Sequence, residues 1–184
     1  MVAGCGVSIA DTRKTMPGLR VLEKYAVKAG GCSNHRFNLS DGVLIKDNHI
    51  KACGGVRSAM EKVSKASFSV KVEIEVENME DAILAAEMGA DIIMADNCGP
   101  QLTGEIRDAV KRINDRILVE ASGGITVDTI ANYIGKADIV SLGSLTHSAK
   151  ASMFSMDVDY VNKQHKETGP YHICLLYTSD AADD

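Results

Sequence analysis

The sequence predicts an α/β fold built around a mostly parallel sheet. Short runs of β-branched residues alternate with longer segments of helical periodicity, as in repeated βα units. Polar residues follow almost every predicted strand, at the sheet edge where the active sites of α/β enzymes lie. Six strands do not close an eight-stranded barrel, so either the barrel is incomplete or an upstream segment is missing. The predicted strands are Val7–Ala10, Val43–Lys46, Val70–Val76, Asp91–Ala95, Ile117–Ala121 and Asp138–Leu142.

The predicted helices lie between these strands, and several carry clear start or stop signals. Pro17-Gly18 is a sequence typical of turns, and it precedes the first helix. Asn78 precedes acidic residues as an N-cap, and Gly89 follows the last apolar position as a C-cap. The predicted helices are Gly18–Lys28, Val56–Lys65, Met79–Met88, Gln101–Asn114, Val127–Ile134 and Leu145–Ser152.

Composition excludes several classes of protein. A chain of 184 residues can form one compact domain, and its net charge of −5 argues against nucleic acid as a partner. The five cysteines are scattered without a CxxC pair, which favours a reducing cytoplasm over a disulfide framework or a zinc site. No signal peptide and no apolar run of about 20 residues is present, so we expect a soluble protein without a membrane partner.

The end of the chain departs from the repeating pattern. Thr168-Gly-Pro170 interrupts it, and the residues that follow match no preceding βα unit. We therefore predict a barrel domain over residues 1–159 and an irregular tail of doubtful origin over residues 160–184.

The strand that includes Val70–Val76 has two different faces. Valine and isoleucine alternate with Lys71, Glu73, Glu75 and Glu77, so one face packs and the other is charged. An edge strand with a solvated face would show this pattern. In a central barrel strand, however, Glu75 would point into the barrel mouth. There it could join Asp96 of the next strand to supply oxygen ligands for Mg²⁺.

A cluster of positive side chains stands out in this acidic chain: Arg13, Lys14, His35, Arg36 and Lys46. Converging positive charge is costly unless a ligand neutralises it, so the cluster predicts a pocket for an anion with several negative charges. Arginine binds carboxylates in a bidentate manner, and histidine can donate a hydrogen bond or titrate near neutrality.

Two glycine-containing turns follow predicted strands and precede predicted helices. They are Ala121-Ser-Gly-Gly-Ile125 and Leu142-Gly-Ser-Leu-Thr-His147. Glycine lets backbone N–H groups approach a phosphate, and a helix N-terminus adds favourable partial charge. Phosphate sites of barrels often lie in the last two such loops, so a phosphate site is expected here.

A series of motifs in fixed order resembles the quinolinate phosphoribosyltransferase family, from about Ile9 to Lys150. The motifs are Asp11-Thr-Arg-Lys-Thr15, Pro17-Gly-Leu-Arg20, Glu23-Lys-Tyr-Ala-Val27, Asn34-His-Arg36, Leu44-Ile-Lys-Asp-Asn-His49, Glu73-Ile-Glu-Val76, Asp96-Asn97, Glu120-Ala-Ser-Gly-Gly124 and Leu145-Thr-His-Ser148.

The resemblance implies an incomplete TIM-like α/β barrel of the type II phosphoribosyltransferases. It implies a pentosyl transfer: quinolinate and 5-phosphoribosyl 1-pyrophosphate give nicotinate mononucleotide, pyrophosphate and carbon dioxide in NAD biosynthesis, with Mg²⁺ as cofactor. The family also carries an N-terminal α/β sandwich domain, which this sequence does not contain. Since that domain supplies an arginine to a neighbouring subunit and much of the interface, the resemblance implies a homodimer or higher homo-oligomer.

The resemblance also assigns roles to the positive residues. Arg13, His35 and Arg36 match the clamp on the quinolinate carboxylates. Lys46 matches a residue at the junction of the two substrates, with Lys14 near it. Both lysines are expected to take part in catalysis.

Two further groups are assigned in the same way. Glu75 and Asp96 match acidic residues at the Mg²⁺ and the ribose hydroxyls, and both are expected to be catalytic. The residues that match the 5-phosphate site are Ser122, Gly123 and Gly143, with His147 close by.

Two alternatives remain open. The first is a truncated, poorly active or inactive barrel that binds phosphoribosyl pyrophosphate. The second is a paralogue associated with molybdate transport, against which the retention of both Arg13-Lys14 and Asn34-His-Arg36 argues.

Overall fold

The structure, a computed structural model, describes residues 5–63, 69–148 and 153–156. The chain divides into one unit over Met1–Ser148 and a second over Ala149–Asp184. The helices and strands below all belong to the first unit. The predicted tail over residues 160–184 lies outside the described residues.

Six parallel strands form a single sheet, which confirms the predicted α/β class. Their order is β1-β6-β5-β4-β3-β2, so each strand from β2 to β6 lies beside its neighbour in sequence, and β1 pairs with β6. All six strands line one cavity, so the sheet is curled, and β1 and β2 remain unpaired with each other as in an incomplete barrel. The strands are β1 Ser8–Ala10, β2 Val43–Ile45, β3 Val72–Val76, β4 Ile92–Asp96, β5 Leu118–Ser122 and β6 Ile139–Ser141.

Most of the predicted helices are present, close to their expected bounds. Asn78 caps α4 by accepting a hydrogen bond from the Asp81 N–H at 2.9 Å, and Gly89 follows that helix with φ +86°. None of the helices among the described residues is long and apolar enough to cross a membrane. The helices are α1 Arg20–Ala29, α2 Asp47–Cys53, α3 Val56–Val63, α4 Met79–Glu87 and α5 Pro100–Ile113.

The structure corrects three helix predictions. Residues Val127–Ile134 contain only a 3₁₀ turn at Ile130–Tyr133, because the segment is short and rich in β-branched residues, which favour the α-helix poorly. The described part of the predicted helix after Leu145 is not helical, and a 3₁₀ turn at Gly143–Leu145 precedes it. Helix α2 was not predicted, because its N-cap residue is Lys46 rather than a typical capping residue.

The core lies between the sheet and the helices that follow its strands. Isoleucine and valine side chains of β3, β4 and β5 pack against α3, α4 and α5, with Ile74, Ile93 and Ile106 fully buried. A second cluster under β6 includes Tyr133, whose hydroxyl donates to the Cys98 carbonyl at 3.1 Å. These contacts hold the strand ends at fixed positions.

Strand β3, in which apolar and charged residues alternate, is a central strand. Its interpretation as an edge strand is therefore wrong. β3 lies between β2 and β4. Ile74 and Val76 are buried in the core, whereas Glu73 and Glu75 line cavities inside the barrel. The charged face therefore points into the barrel, as the barrel alternative predicts.

A loop over residues 32–42 fills the gap between β1 and β2, and we call it the gap loop. Ser33 donates its N–H to the Ile9 carbonyl at 2.7 Å and accepts from the Asp11 N–H at 3.1 Å. At the other end of the loop, Arg36 donates to the Gly42 carbonyl at 2.9 Å, just before β2. The loop that carries His35 and Arg36 thus pairs with β1 at a single bridge, between Ala10 and Ser33, and leads directly into β2.

Candidate active site

A cavity of about 380 Å³ opens at the carboxyl ends of the strands. Side chains from the β1 end, the gap loop and the ends of β2 to β5 surround it. It brings together many of the residues predicted from the sequence: Arg13, Lys14, His35, Arg36, Lys46, Glu75, Asp96 and Ser122. Gly123, Gly143 and His147 do not line it, although Gly123 directly follows Ser122.

Three of the positive side chains in the cavity are not neutralised by the chain. No ion pair among the described residues includes Arg13, Lys14 or Arg36. Burial and the nearby charge of Arg13 both lower the pKa of Arg36, so the two guanidinium groups repel each other. An anion between them would remove this repulsion.

Hydrogen bonds to the main chain hold the segment that carries Arg13 and Lys14 in place. Arg20 of α1 donates to the Arg13 carbonyl at 3.2 Å. The Thr146 hydroxyl donates to the Lys14 carbonyl at 2.7 Å, which ties this segment to the end of the sheet. Both contacts use the main chain, so the side chains of Arg13 and Lys14 stay available for a ligand.

A buried ion pair positions the gap loop, and the sequence did not reveal it. Lys24 of α1 donates to Asp11 Oδ1 at 2.7 Å, and the two side chains are 5% and 0% exposed. Asp11 also accepts from the Asn34 amide at 2.8 Å and from the His35 N–H at 2.7 Å. Lys24 in turn donates to the His35 carbonyl at 2.9 Å. Asp11 could have been noticed as a polar residue after β1, but nothing in the sequence links it to Lys24.

Carboxylates line the opposite side of the cavity. Glu75 forms an ion pair with Lys46, and Asp96 ends the neighbouring strand. Asp47 lies with both acidic residues, since all three border this cavity and an adjoining one of about 160 Å³. Carboxylate oxygens are the ligands that Mg²⁺ prefers, although the oxygens of these three residues do not converge on one point in the described part of the chain. Asp47 was noted in the sequence only as a polar residue after a strand.

Helix α2 fixes the backbone of Lys46. His49 Nδ1 accepts the Lys46 N–H at 3.0 Å, which completes a capping box at the start of the helix. Gly54 ends the helix in the left-handed region, with φ +83°. His49 therefore has a structural role, and Lys46 leaves β2 in a defined direction.

The glycine turn after β5 makes a close approach to the turn after β4. Gly123 has φ +93°, and a Cβ at this position would overlap the side chain and backbone nitrogen of Asn97. The N–H groups of Gly123 and Gly124 find no hydrogen-bond partner within the described part of the chain. They are therefore free to bind a ligand oxygen. At Gly143, a Cβ would meet the ring of His147, so these two residues pack together.

A histidine and two glutamates meet inside the barrel, and the histidine and one of the glutamates also line the cavity. His35 Nε2 lies 3.3 Å from both carboxylate oxygens of Glu73 and 3.6 Å from Oε2 of Glu120. His35 Nδ1 accepts the Arg36 N–H at 2.9 Å, so the ring proton resides on Nε2 and points at the carboxylates. This tautomer disfavours a metal ion at the three residues, although their ligand atoms lie within 4.8 Å of one another.

The same three residues shift one another's protonation. Burial lowers the pKa of His35, but the hydrogen bond and charge of Glu73 and the charge of Glu120 outweigh it, so the pKa is raised. Burial, followed by the charge of Glu73, raises the pKa of Glu120 to about 7. This cluster could not be predicted from the sequence, since its members are far apart along the chain.

Comparisons with known proteins give a consistent result. The family model described as "Quinolinate phosphoribosyl transferase, C-terminal domain" matches residues 1–157. A probable nicotinate-nucleotide pyrophosphorylase [carboxylating] of Bacillus subtilis is 48% identical over 88% of this chain and 55% of its own length. A protein of the same name from Archaeoglobus fulgidus is 46% identical over 83% of this chain and 59% of its own length.

Solved structures show the same similarity. The crystal structure of a NadC deletion mutant is 47% identical with a TM-score of 0.73, and the match covers 78% of this chain and 50% of that one. The chain thus spans about half the length of the relatives that it matches.

Proposed function

Because the chain belongs to the quinolinate phosphoribosyl transferase family, we propose that it transfers phosphoribose from 5-phosphoribosyl 1-pyrophosphate to quinolinate. Decarboxylation then gives nicotinate mononucleotide, with release of pyrophosphate and carbon dioxide. The observation that carries the proposal is the group of Arg13, Lys14 and Arg36, which converge on one cavity and form no ion pair with any residue that the structure describes.

The acceptor fits the arginine side of the cavity. Quinolinate carries two carboxylates on adjacent ring atoms, and guanidinium groups bind carboxylates in a planar, bidentate manner. Arg13 and Arg36 repel each other in the free protein, and a dicarboxylate would convert that repulsion into two attractions. We also assign His35 to this side of the site, because it lines the cavity beside them, although its Nε2–H is directed at Glu73 and Glu120 in the free protein.

The phosphoribosyl donor, 5-phosphoribosyl 1-pyrophosphate, fits the remaining sides of the cavity. Its 5-phosphate would accept from the free N–H groups at Gly123 and Gly124, next to Ser122. Gly143 and His147, which contact each other after β6, are assigned to the same phosphate. Lys14 and Lys46 would hold the pyrophosphate, which leaves the ribose near Glu75 and Asp96.

We propose Mg²⁺ as the cofactor, held by Glu75 and Asp96 with Asp47 beside them. When bound, the ion would neutralise charge that develops on the leaving pyrophosphate. The chain's own residues would do the rest. Loss of pyrophosphate leaves positive charge on the ribose ring, and the carboxylates of Glu75 and Asp96 would stabilise it.

No covalent enzyme intermediate and no obligatory general base are needed. The two arginines would orient the pyridine nitrogen toward the ribose, so that the reaction proceeds by positioning and charge stabilisation. Once the nitrogen is bonded to the ribose it is cationic, so the bond between the adjacent ring carbon and its carboxylate can break with loss of carbon dioxide. The cationic nitrogen stabilises the electron pair left on that carbon, which then takes a proton from water.

We also propose that the protein acts in the cytoplasm as a homo-oligomer. Free cysteines at several described positions suit a reducing compartment. Helix α1 exposes Val21, Leu22 and Tyr25 at 67%, 65% and 73%, which is an apolar surface suited to a second copy.

Replacing Glu75 tests the proposed reaction. Glu75→Gln keeps the shape of the side chain but removes the charge near the ribose, so turnover should fall by about 100-fold while quinolinate affinity changes little. Formation of nicotinate mononucleotide from the two substrates and Mg²⁺ is the measurement. Glu87→Gln, an exposed position on α4, is the matched control. Unchanged turnover would remove Glu75 from the mechanism.

The same assay on the wild-type chain distinguishes an enzyme from a protein that only binds the substrate. Product formation supports the proposal. Thermal stabilisation by phosphoribosyl pyrophosphate without any product would instead show a barrel that only binds this ligand.

A further inference from the structure

We propose that Glu120 takes up a proton when the dicarboxylate substrate binds, so that substrate affinity is linked to protonation inside the barrel. This inference rests on the proposed function, because it takes quinolinate as the ligand. Glu120 does not contact the ligand itself in this proposal. It acts through His35 and through its own charge beside the cavity, and is therefore a positioning residue.

Glu120 is a buried carboxylate with an unused hydrogen-bonding atom. Its side chain is 1% exposed on β5, and it borders the substrate cavity. Oε1 has no hydrogen-bond partner among the described residues, and the nearby Ser141 hydroxyl on β6 has none either. A buried carboxylate oxygen without a donor is costly when charged, and a proton removes that cost.

More negatively charged groups than positively charged groups face Glu120. From β3 come Glu73 and Glu75, and from the gap loop comes His35. The paired residue on β4 is Met94, which is uncharged. Burial and the charge of Glu73 raise the pKa of Glu120 more than the charge of His35 and the Ser141 hydroxyl lower it, so the pKa rises to about 7.

A proton that enters this cluster has an open position on Glu120, whereas His35 can take a second proton only by giving up the hydrogen bond that its Nδ1 accepts. The histidine already holds a proton on Nε2, and a second one on Nδ1 would face the Arg36 N–H at 2.9 Å. Glu120 Oε1, in contrast, is free to accept one.

Substrate binding and protonation are therefore coupled by charge. The dicarboxylate brings further negative charge beside His35 and Arg36, which line the cavity together with Glu120. That charge raises the pKa of Glu120 in the complex above its value in the free protein. Above pH 7 the free protein has largely lost the proton and the complex regains it, so affinity must fall as the pH rises.

Calorimetry can count the proton. Quinolinate is titrated into the wild-type chain at pH 7.5 in phosphate and in Tris buffers, whose ionisation enthalpies differ. We expect uptake of about half a proton or more per bound ligand, and a dissociation constant that rises several-fold from pH 6.5 to 8.5. Quinolinate itself stays fully ionised over this range. Glu120→Gln should abolish the uptake and flatten the pH dependence, whereas the exposed Glu87→Gln should change neither.

The outcomes separate this inference from the proposed function. No binding of quinolinate at any pH defeats the proposed function, and this inference with it. Binding without proton uptake, or the same uptake in Glu120→Gln, overturns this inference alone. Carboxyl ¹³C titration of the wild-type chain is a second measurement that needs no variant. One glutamate should titrate near neutrality with a midpoint that quinolinate raises, and the lack of such a resonance also overturns the inference.

Discussion

At the scale of single residues, the buried pair of Asp11 and Lys24 controls the position of the gap loop. Each partner also contacts the loop itself, at the His35 backbone. The loop's functional side chains are therefore positioned by groups that touch no ligand. A buried ion pair is weak evidence for stability in itself, but removal of one partner leaves an uncompensated charge.

Removal of one partner of this ion pair should consequently lower the stability of the fold strongly. Lys24→Met leaves the Asp11 carboxylate buried without its cation, so we expect the free energy of unfolding to fall by about 3–5 kcal/mol. Urea denaturation followed by circular dichroism measures this change. Lys28→Met, on an exposed position of the same helix, should cost far less. Equal stability of the two variants would show that the pair contributes nothing.

The sequence revealed individual site residues better than the contacts between them. The positive cluster and the pair of Glu75 and Asp96 could be predicted, because residue type and position after a strand already indicate their chemistry. The contact between His35 and Glu120 could not, because it depends on how the gap loop enters the barrel.

At the scale of elements, the turns after β4 and β5 support each other. Asn97 has φ +53° and donates from its amide to Asp96 at 3.0 Å, while Gly123 packs against Asn97. The absence of a side chain at Gly123 therefore brings the turn proposed to bind phosphate next to a carboxylate proposed to bind Mg²⁺.

Two neighbouring glycines allow a matched test of this packing. Both have positive φ, but a Cβ at Gly124 meets nothing within 4 Å, whereas one at Gly123 overlaps Asn97. Gly124→Ala should cost about 1 kcal/mol from backbone conformation alone. Gly123→Ala should cost about 1–3 kcal/mol more and weaken binding of phosphoribosyl pyrophosphate. Thermal unfolding and ligand titration measure the two effects, and similar results for both variants would contradict the packing argument.

The elements also show where sequence patterns are informative. All six strands were predicted within two residues at each end, because buried parallel strands are clear β-branched runs. Helix α4 was predicted because Asn78 and Gly89 mark its ends. Helix α2 was missed because its cap depends on the side chain of His49, and sequence rules for caps do not include that residue.

At the scale of the whole molecule, one surface of the barrel remains apolar. Helix α1 buries Lys24 and Val27 but exposes Val21, Leu22 and Tyr25 on its other side. Contiguous apolar surface of this kind marks an interaction site more often than chance exposure. It lies on the same helix that holds the gap loop, so the proposed assembly and the proposed substrate binding would share a structural element.

A charge on this surface should separate the copies. Leu22→Glu should convert a dimer or larger assembly into a monomer, because an unpaired carboxylate is costly in a buried interface. Size-exclusion chromatography with light scattering measures the mass. Val127→Glu, at an exposed residue after β5, serves as the control and should not change it. A monomeric wild-type chain at all concentrations would rule out self-association through α1.

The pairing of β1 with β6 also determines the order in which the chain can fold during synthesis. Strands β2 to β5 pair with neighbours in sequence and can assemble as they leave the ribosome, whereas β1 must wait for the last strand. The Thr146 contact that fixes Lys14 comes still later in the chain. A nascent chain that ends before β6 therefore has most of the described core, but it lacks the contacts that hold the positive side of the cavity in place.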